Sequence, residues 1–289
     1  MHISIIIPAK NETETIAQTV KTALTQLNQI GLTADAEILV VDDGSSDSTA
    51  SEAIAAGAKV VSHPYSKGNG AAIKTGARAA QGAVLVFMDA DGQHNPADIP
   101  RLLEALDCGH DMVVGARKKG SQASVGRGLA NHLYNHLASW MTGHNIEDLT
   151  SGFRAVRADK FREFLYLLPN GFSYPTTSTM AFFRAGYSVA YVPIFAAKRI
   201  GKSHIRLLRD GTRFLLIIFK IGTLFSPLKI FAPVALTMFL LATGWYAWTF
   251  LTMHRFTNMS ALLYTGSVIT FMMGLISEQI TALMYKDEK

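Results

Sequence analysis

Short apolar runs alternate with longer stretches of helical periodicity along the first part of the chain. The strand-like runs are residues 2–8, 37–42, 59–62, 83–88 and 111–115. Between them, apolar residues recur at helical spacing in residues 13–30, 48–56, 71–80 and 96–106. Strands that alternate with helices predict an α/β fold, with a doubly wound and mostly parallel sheet.

The last part of the chain has long apolar runs instead. Residues 230–253 contain no charged side chain, and residues 260–285 contain Glu278 alone. A bilayer core is crossed by about 20 helical residues, so the pattern predicts a transmembrane hairpin over 230–285. A buried pair of soluble helices is the alternative, because a carboxylate at membrane depth needs a partner or an interfacial position.

Composition supports a membrane protein and excludes several other classes. The mean hydropathy of +0.20 with only 17% charged residues is too apolar for a disordered chain. A single cysteine, Cys108, excludes an internal disulfide framework and fits a reducing cytosol.

The excess of basic residues lies in one short stretch. Residues 1–197 have a net charge of −2, residues 198–229 of +7 and residues 230–289 of 0. Residues 205–225 mix apolar and basic side chains, which is typical of an amphipathic helix in the headgroup plane; a solvated helix against the globular domain is the alternative. We therefore expect three parts, 1–197, 198–229 and 230–285. The pI of about 9.2 does not indicate nucleic acid, since the basic residues adjoin apolar runs without a known reader motif.

Charge also predicts the orientation. Basic residues lie densely before the hairpin, Lys286 and Lys289 follow it, and its link carries only Arg255. The positive-inside rule then places both termini in the cytosol. The N-terminal sequence enters a strand pattern without a signal-peptide pattern, so we expect a cytosolic domain on the cytoplasmic (inner) membrane.

Acidic residues follow three of the predicted strands. PAKNE follows the first strand, DDGSSD the second, and DADGQH the run at 83–88. Carboxyl ends of parallel strands share one edge of a sheet, where ligands bind. Asp89 and Asp91 can offer hard oxygen ligands to Mg²⁺ or Mn²⁺, with phosphates completing the shell. Each fragment alone is typical of a capped turn, but the three in order predict a binding crevice.

These motifs resemble those of family 2 inverting glycosyltransferases with the Rossmann-like GT-A fold. The resemblance extends to Gly115-Ala116-Arg117, to DLTSGFR at 148–154 and to RIGKS at 199–203, as in the dolichyl-phosphate mannosyltransferase and bactoprenyl-phosphate glycosyltransferase branch. It covers residues 1–229, and members with a C-terminal helical hairpin match the rest.

The resemblance implies a function and a set of partners. Such enzymes transfer a hexose from a nucleotide-diphosphate sugar, GDP-mannose or a UDP-hexose, to dolichyl or undecaprenyl phosphate, with Mg²⁺ or Mn²⁺ as the cofactor. It implies nucleoside contacts from Pro8, Lys10, Glu12 and either Asp42 or Asp43. It implies that Asp89, Ala90, Asp91 and Gln93 meet the metal and the donor diphosphate, with Asp89, Asp91 and Arg117 as the catalytic set.

The resemblance also implies phosphate contacts from Arg117, Arg199 and Lys202. Acceptor contacts are implied for Arg117, Arg127, Asn131, Ser151 and Arg154, and residues 118–131 would form a mobile acceptor segment. A lipid phosphate is already an anion, so no general base is assigned, although Asp89 or Asp148 could be argued.

Two departures from the family pattern bear on specificity. Lys10 stands where many members carry Tyr, and residues 172–183 lack the acidic residue that many relatives have there. Transfer to a lipid hydroxyl and a non-catalytic, sugar-nucleotide-binding regulator remain as alternatives, and the oligomeric state is left open. Of the remaining features, His63 is expected to be a satisfied histidine, His94 could lie near the metal, and Gly68-Asn69-Gly70 is expected to open a helix near the donor.

Overall fold

A computed structural model describes residues 2–117, 125–171, 173–195 and 222–284. The chain divides between residues 203 and 204 into two compact units, which are described separately. Residues 198–221 of the expected interfacial segment, including Arg199 and Lys202, lie outside the described residues.

The first unit is built on a seven-stranded sheet with the order β3-β2-β1-β4-β6-β5-β7. Its strands are β1 Ile3–Ala9, β2 Ala36–Asp42, β3 Lys59–Ser62, β4 Val84–Phe87, β5 Met112–Arg117, β6 Arg154–Arg157 and β7 Val189–Ile194. All neighbours pair in parallel except β6, which runs antiparallel to both β4 and β5. The predicted mostly parallel sheet is confirmed.

Helices connect these strands. They are α1 Ile16–Gln29, α2 Thr49–Ala55, α3 Asn69–Ala79, α4 Ile99–Asp107, α5 Val125–Thr142, α6 Ala158–Glu163 and α7 Tyr174–Arg184. The five predicted strands and four predicted helices are all present, with ends that differ by a few residues. Helix α5 begins at Val125, within the expected mobile segment 118–131, and residues 118–124 lie outside the described residues.

Periodic apolar residues explain why these helices form and cover the sheet. In α1, Ile16, Val20, Ala23 and Leu27 are buried at spacings of four, three and four residues, which is one face of a helix. On the other face of β1, helix α3 comes so close that a Cβ on Gly76 would lie 2.4 Å from Cγ2 of Ile6. Glycine thus permits the close packing of helix against strand.

Strand β6 brings residues that lie far along the chain to the edge of the sheet where β4 and β5 end. Arg154 at its start pairs with Phe87 near the end of β4 and with Val114 in β5. An antiparallel strand begins at the edge where its parallel neighbours end. The loop before β6, residues 148–153, therefore lies at the carboxyl ends of β4 and β5.

The second unit is a pair of long apolar helices, Pro227–Met253 and Asn258–Met284. The most apolar windows of the two helices have only 11% and 17% of their residues buried, although their mean hydropathies are 1.6 and 1.7. A soluble helix pair would bury such residues, so the two helices are long, apolar and exposed enough to cross a membrane. The first helix begins three residues before the predicted start, because Pro227 suits its first turn.

Small residues bring the two hairpin helices together. The Ser267 hydroxyl donates a hydrogen bond of 2.8 Å to the carbonyl of Ala235 on the other helix. A Cβ on Gly266 would lie 2.6 Å from Cε of Met238. In lipid, the burial of apolar surface does not drive helices together, so helices associate through small residues and interhelical hydrogen bonds.

Glu278 has a partner at the start of the first hairpin helix. Its Oε2 accepts the backbone N–H of Leu228 at 3.3 Å. Helix N-termini carry unsatisfied N–H groups and favour negative charge. The carboxylate therefore satisfies one of those groups, which meets the requirement for a partner in an apolar hairpin.

Candidate active site

A cleft of about 440 Å³ opens where β1, β2 and β4 end. It is lined by Pro8, Ala9, Lys10, Glu12, Asp43, Ser66, Gly68, Asn69, Ala72, Asp89, Ala90 and Asp91. Seven residues expected at the donor thus come together, but Gln93 and Arg117 are not among them. Asp42 does not line the cleft, and its Oδ1 instead accepts the N–H of Ser45 at 3.0 Å. Of the two candidates in DDGS, the structure brings Asp43 to the cleft.

Asp43 is a buried carboxylate with partners on both oxygens. Its Oδ1 lies 2.7 Å from Nδ1 of His63 and 2.8 Å from the N–H of Lys67. Its Oδ2 accepts from the Ser66 hydroxyl at 2.8 Å and the Gly68 N–H at 2.9 Å. Burial alone would raise the pKa of Asp43, but the hydrogen bonds from His63 and its other donors lower it below the ordinary value. Asp43 is therefore an anion that shapes the loop at 65–68.

That loop adds one residue that the motifs did not single out, Ser66. It lines the cleft together with Gly68 and Asn69, and Lys10 Nζ donates to Ser66 Oγ at 2.9 Å. Helix α3 begins at Asn69, which confirms that Gly68-Asn69-Gly70 opens a helix. In the sequence, the glycine pair Gly68 and Gly70 was the signal for this loop. Glycine is required at 68 because a Cβ there would lie 2.5 Å from the carbonyl oxygen of Asn170.

The D-x-D turn follows β4 directly. The Asp89 side chain is 37% exposed, and its backbone N–H donates to Nδ1 of the buried His94 at 3.0 Å. The Gln93 N–H donates to Oδ1 of Asp91 at 3.1 Å, although Gln93 does not line the cleft. His94 stacks on Phe153 with 5.1 Å between ring centroids, so its ring packs between Phe153 and the turn.

The carboxylates of this turn fit a divalent cation that is shared with a ligand. Within the part of the chain that the structure describes, no cluster of three His, Cys, Asp or Glu could hold a metal on its own. Asp89 and Asp91 both face the cleft and offer hard oxygen donors. Magnesium and manganese accept such sites when substrate phosphates and water complete the shell.

Arg117 is paired with Asp148 beside the cleft. Its Nε and Nη2 donate to the two carboxylate oxygens at 2.7 and 2.9 Å, and Nη2 also reaches the Thr150 hydroxyl at 2.6 Å. Burial would raise the pKa of Asp148, but the hydrogen bonds and charge of Arg117 lower it. An ionised carboxylate with these partners orients Arg117, so Asp148 does not suit a general base.

The loop that precedes β6 packs against Asp89. A Cβ on Gly152 would lie 3.1 Å from Asp89 Oδ2 and 3.3 Å from the hydroxyl of Tyr174, which donates to the Gly152 carbonyl at 3.0 Å. Ser151 is 1% exposed. The motif at 148–154 therefore adjoins the D-x-D turn, but Ser151 itself lies beneath the surface.

Arg154 is placed differently from the sequence expectation. The side chain is 0% exposed, and Nη1 donates to the carbonyl of Pro175, to Ser178 Oγ and to Thr179 Oγ1 at 3.0, 2.8 and 3.1 Å. A fully buried guanidinium with internal partners cannot reach an acceptor in this conformation. Arg154 joins β6 to α7 instead, and its burial lowers the pKa of the guanidinium.

Several expected acceptor and phosphate residues lie outside what the structure describes. These are Arg199 and Lys202, together with the side chains of Arg127 and Asn131. Helix α7 is described and contains no acidic residue, as the sequence of that segment indicated. It therefore presents no carboxylate of its own.

Comparison with known proteins agrees with the fold. A mostly parallel sheet with a cleft at its carboxyl edge is the architecture of a GT-A glycosyltransferase domain. Residues 4–165, more than half of the chain, match the family described as Glycosyl transferase family 2, and residues 226–283 match the GtrB C-terminal hairpin. The chain therefore belongs to glycosyl transferase family 2.

Curated relatives share part of their length with this chain. The undecaprenyl-phosphate 4-deoxy-4-formamido-L-arabinose transferase of Edwardsiella ictaluri is 34% identical over 170 residues, 57% of this chain and 51% of the relative. The Salmonella typhimurium enzyme of the same name is 35% identical over 161 residues, 54% of this chain and 48% of the relative. The match spans about half the length of these relatives.

Solved structures share the fold over a longer stretch. Glucosyl-3-phosphoglycerate synthase from Mycobacterium tuberculosis, in complex with Mn²⁺, UDP-glucose and phosphoglyceric acid, is 25% identical with a TM-score of 0.60. The likeness covers 76% of this chain and 78% of that one. A further structure of that enzyme with Mn²⁺, UDP and glucosyl-3-phosphoglycerate has 24% identity and a TM-score of 0.59.

Proposed function

We propose that this protein is an inverting glycosyltransferase that moves a hexose from a nucleotide-diphosphate sugar to a polyprenyl phosphate. The observation that carries the proposal is that the loop at 65–68 and the D-x-D carboxylates Asp89 and Asp91 line one cleft. That cleft belongs to a chain that also has two membrane-capable helices. The names of the curated relatives support a polyprenyl phosphate as the acceptor.

The donor is a GDP- or UDP-linked hexose, and the cofactor is Mg²⁺ or Mn²⁺. Asp89 and Asp91 hold the cation against the donor diphosphate, because no group of three His, Cys, Asp or Glu among the described residues could hold it alone. The Mn²⁺ and UDP-glucose in a solved relative support this arrangement. When bound, a divalent cation neutralises the charge that develops on the leaving diphosphate.

The acceptor phosphate attacks the anomeric carbon without a general base. It is an anion at neutral pH, so the protein has to position it in line and to neutralise charge. Arg117 is suited to this, because Asp148 holds its guanidinium in a fixed orientation beside the cleft. The absence of an acidic residue from α7 fits the same chemistry. A single displacement inverts the anomeric centre.

The protein acts at the cytosolic face of the inner membrane. The +7 stretch before the hairpin supports this orientation under the positive-inside rule. Residues 198–229 lie at the interface in this proposal. Arg199 and Lys202 on that stretch contact phosphates of the donor, the acceptor or both, and Arg127 and Asn131 contact the acceptor.

A donor-by-acceptor screen tests the function. The full chain in detergent is given radiolabelled GDP-mannose, UDP-glucose or a UDP-N-acetylhexosamine, with undecaprenyl or dolichyl phosphate and Mg²⁺ or Mn²⁺. We expect label in a chloroform-extractable, mild-acid-labile lipid for at least one pair. Diacylglycerol and phosphoglycerate serve as hydroxyl acceptors in control reactions. Transfer to one of these alone, or to no acceptor, would overturn the proposal.

A further inference from the structure

Helix α3 borders the donor cleft, and one stretch of chain, residues 162–171, holds both of its ends. At the C-terminal end, the guanidinium of Arg162 donates to the carbonyls of Ala77 and Ala80 at 2.9 and 2.6 Å. The last carbonyls of a helix have no partners within the helix, and this end favours a cation. Arg162 therefore caps the C-terminal end of α3.

The N-terminal end of α3 donates to the same stretch. The Gly70 N–H donates to the Gly171 carbonyl at 3.0 Å, and the Ala71 N–H donates to the Asn170 carbonyl at 2.9 Å. The first N–H groups of a helix also have no partners within the helix, so these carbonyls satisfy two of them. We call residues 168–171 the capping loop.

Lys74, one turn further along α3, attaches the capping loop through its side chain. Its Nζ donates to the Leu168 carbonyl at 3.1 Å and also to Oδ1 of Asn170. Lys74 is half-buried, and hydrogen bonds from a charged donor are roughly twice as strong as those between neutral groups. The side chain thus fixes the capping loop at two points.

The capping loop packs on the part of α3 that faces the cleft. Gly68 and Asn69 line the cleft, and a Cβ on Gly68 would lie 2.5 Å from the carbonyl oxygen of Asn170. No space for a side chain is left between the two backbones. The position of Asn170 therefore determines the position of Gly68 and Asn69.

The chain that follows the capping loop reaches the other side of the cleft. Ser173 has a φ of +92°, which is costly for a residue with a Cβ and persists only where the surroundings fix it. The next residue, Tyr174, donates its hydroxyl to the Gly152 carbonyl at 3.0 Å, and Gly152 packs on Asp89. One stretch of chain thus contacts the start of α3 and supports the D-x-D turn.

We infer that Lys74 and Asn170 are positioning residues, which hold the capping loop so that Asn69 and the D-x-D turn keep the spacing into which the nucleoside diphosphate fits. Neither is among the described residues that line the cleft, so each acts through the loop. The inference rests on the proposed function, since it concerns how that donor is bound.

Substitutions on α3 separate this role from a general loss of charge. Lys74→Met removes both side-chain hydrogen bonds and keeps an unbranched chain, whereas Lys74→Arg keeps a cation with donors for both acceptors. Arg78→Met is the matched control, because Arg78 is an exposed cation on the same helix. Asn170→Ala removes the side-chain acceptor from the capping loop.

Titration calorimetry with UDP and GDP on the full chain in detergent provides the test. The loss of two hydrogen bonds from a charged donor predicts a rise in nucleotide Kd of about fivefold to tenfold for Lys74→Met, and the loss of one predicts about threefold for Asn170→Ala. We expect Lys74→Arg and Arg78→Met to stay within about twofold of the wild type. In transfer assays the donor KM should rise with Kd, while kcat at saturating donor is unchanged.

The outcomes separate this inference from the proposed function. A Kd within about twofold of the wild type for Lys74→Met, an equal rise for Arg78→Met, or a loss confined to kcat would overturn the positioning role. Thermal unfolding of each variant shows whether it is folded at the assay temperature. If Lys74→Met does not fold, Asn170→Ala decides, because Asn170 is exposed and its truncation leaves the core intact. A Kd more than about twofold above wild type then supports the inference, and a smaller change overturns it. If the wild-type protein binds neither nucleotide, the proposed function itself fails.

Discussion

Replacement of Asp148 by asparagine tests the buried ion pair beside the cleft. Asp148 accepts from Nε and Nη2 of Arg117 and also from the backbone N–H groups of Thr150 and Ser151 at 3.1 Å. An asparagine removes the negative charge and turns an NH₂ group toward donors on one side. Arg117, whose side chain is 26% exposed, is left without its counter-ion.

The size of the effect follows from that burial. Removal of one partner from a buried ion pair costs about 3–5 kcal/mol, and the partial exposure of Arg117 points to the lower end. For a domain of this size, about 3 kcal/mol corresponds to a fall in Tm of roughly 6–12 °C. Asp107→Asn is the matched control, because Asp107 is 61% exposed and lies 3.7 Å from Arg157. We expect a shift below about 3 °C for the control.

The pH dependence gives the prediction a second measurement. The pKa of Asp148 is lowered in the folded protein, so its stabilisation is complete above the unfolded pKa of about 3.9 and is lost as pH falls through the folded pKa. The Tm difference between wild type and Asp148→Asn should therefore be largest near neutral pH and shrink below about pH 4. Equal Tm values at pH 7, measured by scanning fluorimetry in detergent, would refute the reasoning.

Three further changes test the site and the hairpin. Asp91→Asn should lower lipid-linked transfer by about a hundredfold or more in the radiolabel assay, since the cation loses one of its two proposed carboxylates; near-normal transfer would remove Asp91 from the site. Gly152→Ala places a Cβ 3.1 Å from Asp89 Oδ2, so transfer should fall while Tm changes little, and unchanged transfer would show that Asp89 can yield. Glu278→Leu leaves the Leu228 N–H without this acceptor and should lower Tm by roughly 2–6 °C. Glu278→Gln keeps an acceptor, so its fall in Tm should be smaller. Equal Tm values for the two variants would contradict the role of Glu278 as the acceptor at this helix start.

Local patterns were sufficient to predict most of the first unit and the existence of the hairpin. Apolar runs of strand length and the spacing of Ile16, Val20 and Leu27 are properties of the chain itself, so they indicated where strands and helices form. The D-x-D turn could be placed for the same reason, because Asp89 and Asp91 follow directly on a buried strand. The length of the last two apolar runs indicated helices that can cross a membrane.

The tertiary structure decided what the acidic and basic side chains of these motifs contact. Asp42 and Asp43 are adjacent in sequence, yet only Asp43 lines the cleft, because successive side chains at a strand end point to different sides. Arg154 matched a motif but is buried, since its strand is inserted antiparallel between β4 and β5. That pairing joins residues far apart in the chain, and no local pattern encodes it.

The sequence by itself thus determined the order of elements up to residue 115, the edge of the sheet at which the acidic residues gather, and the apolar hairpin. Periodicity and turn chemistry are local, and they depend on neighbouring residues alone. The tertiary structure decided that Asp148 holds Arg117, that Gly152 packs on Asp89 and that Asp43 accepts hydrogen bonds from the loop at 65–68. These contacts depend on which strands become neighbours, and the packing of the whole sheet determines that.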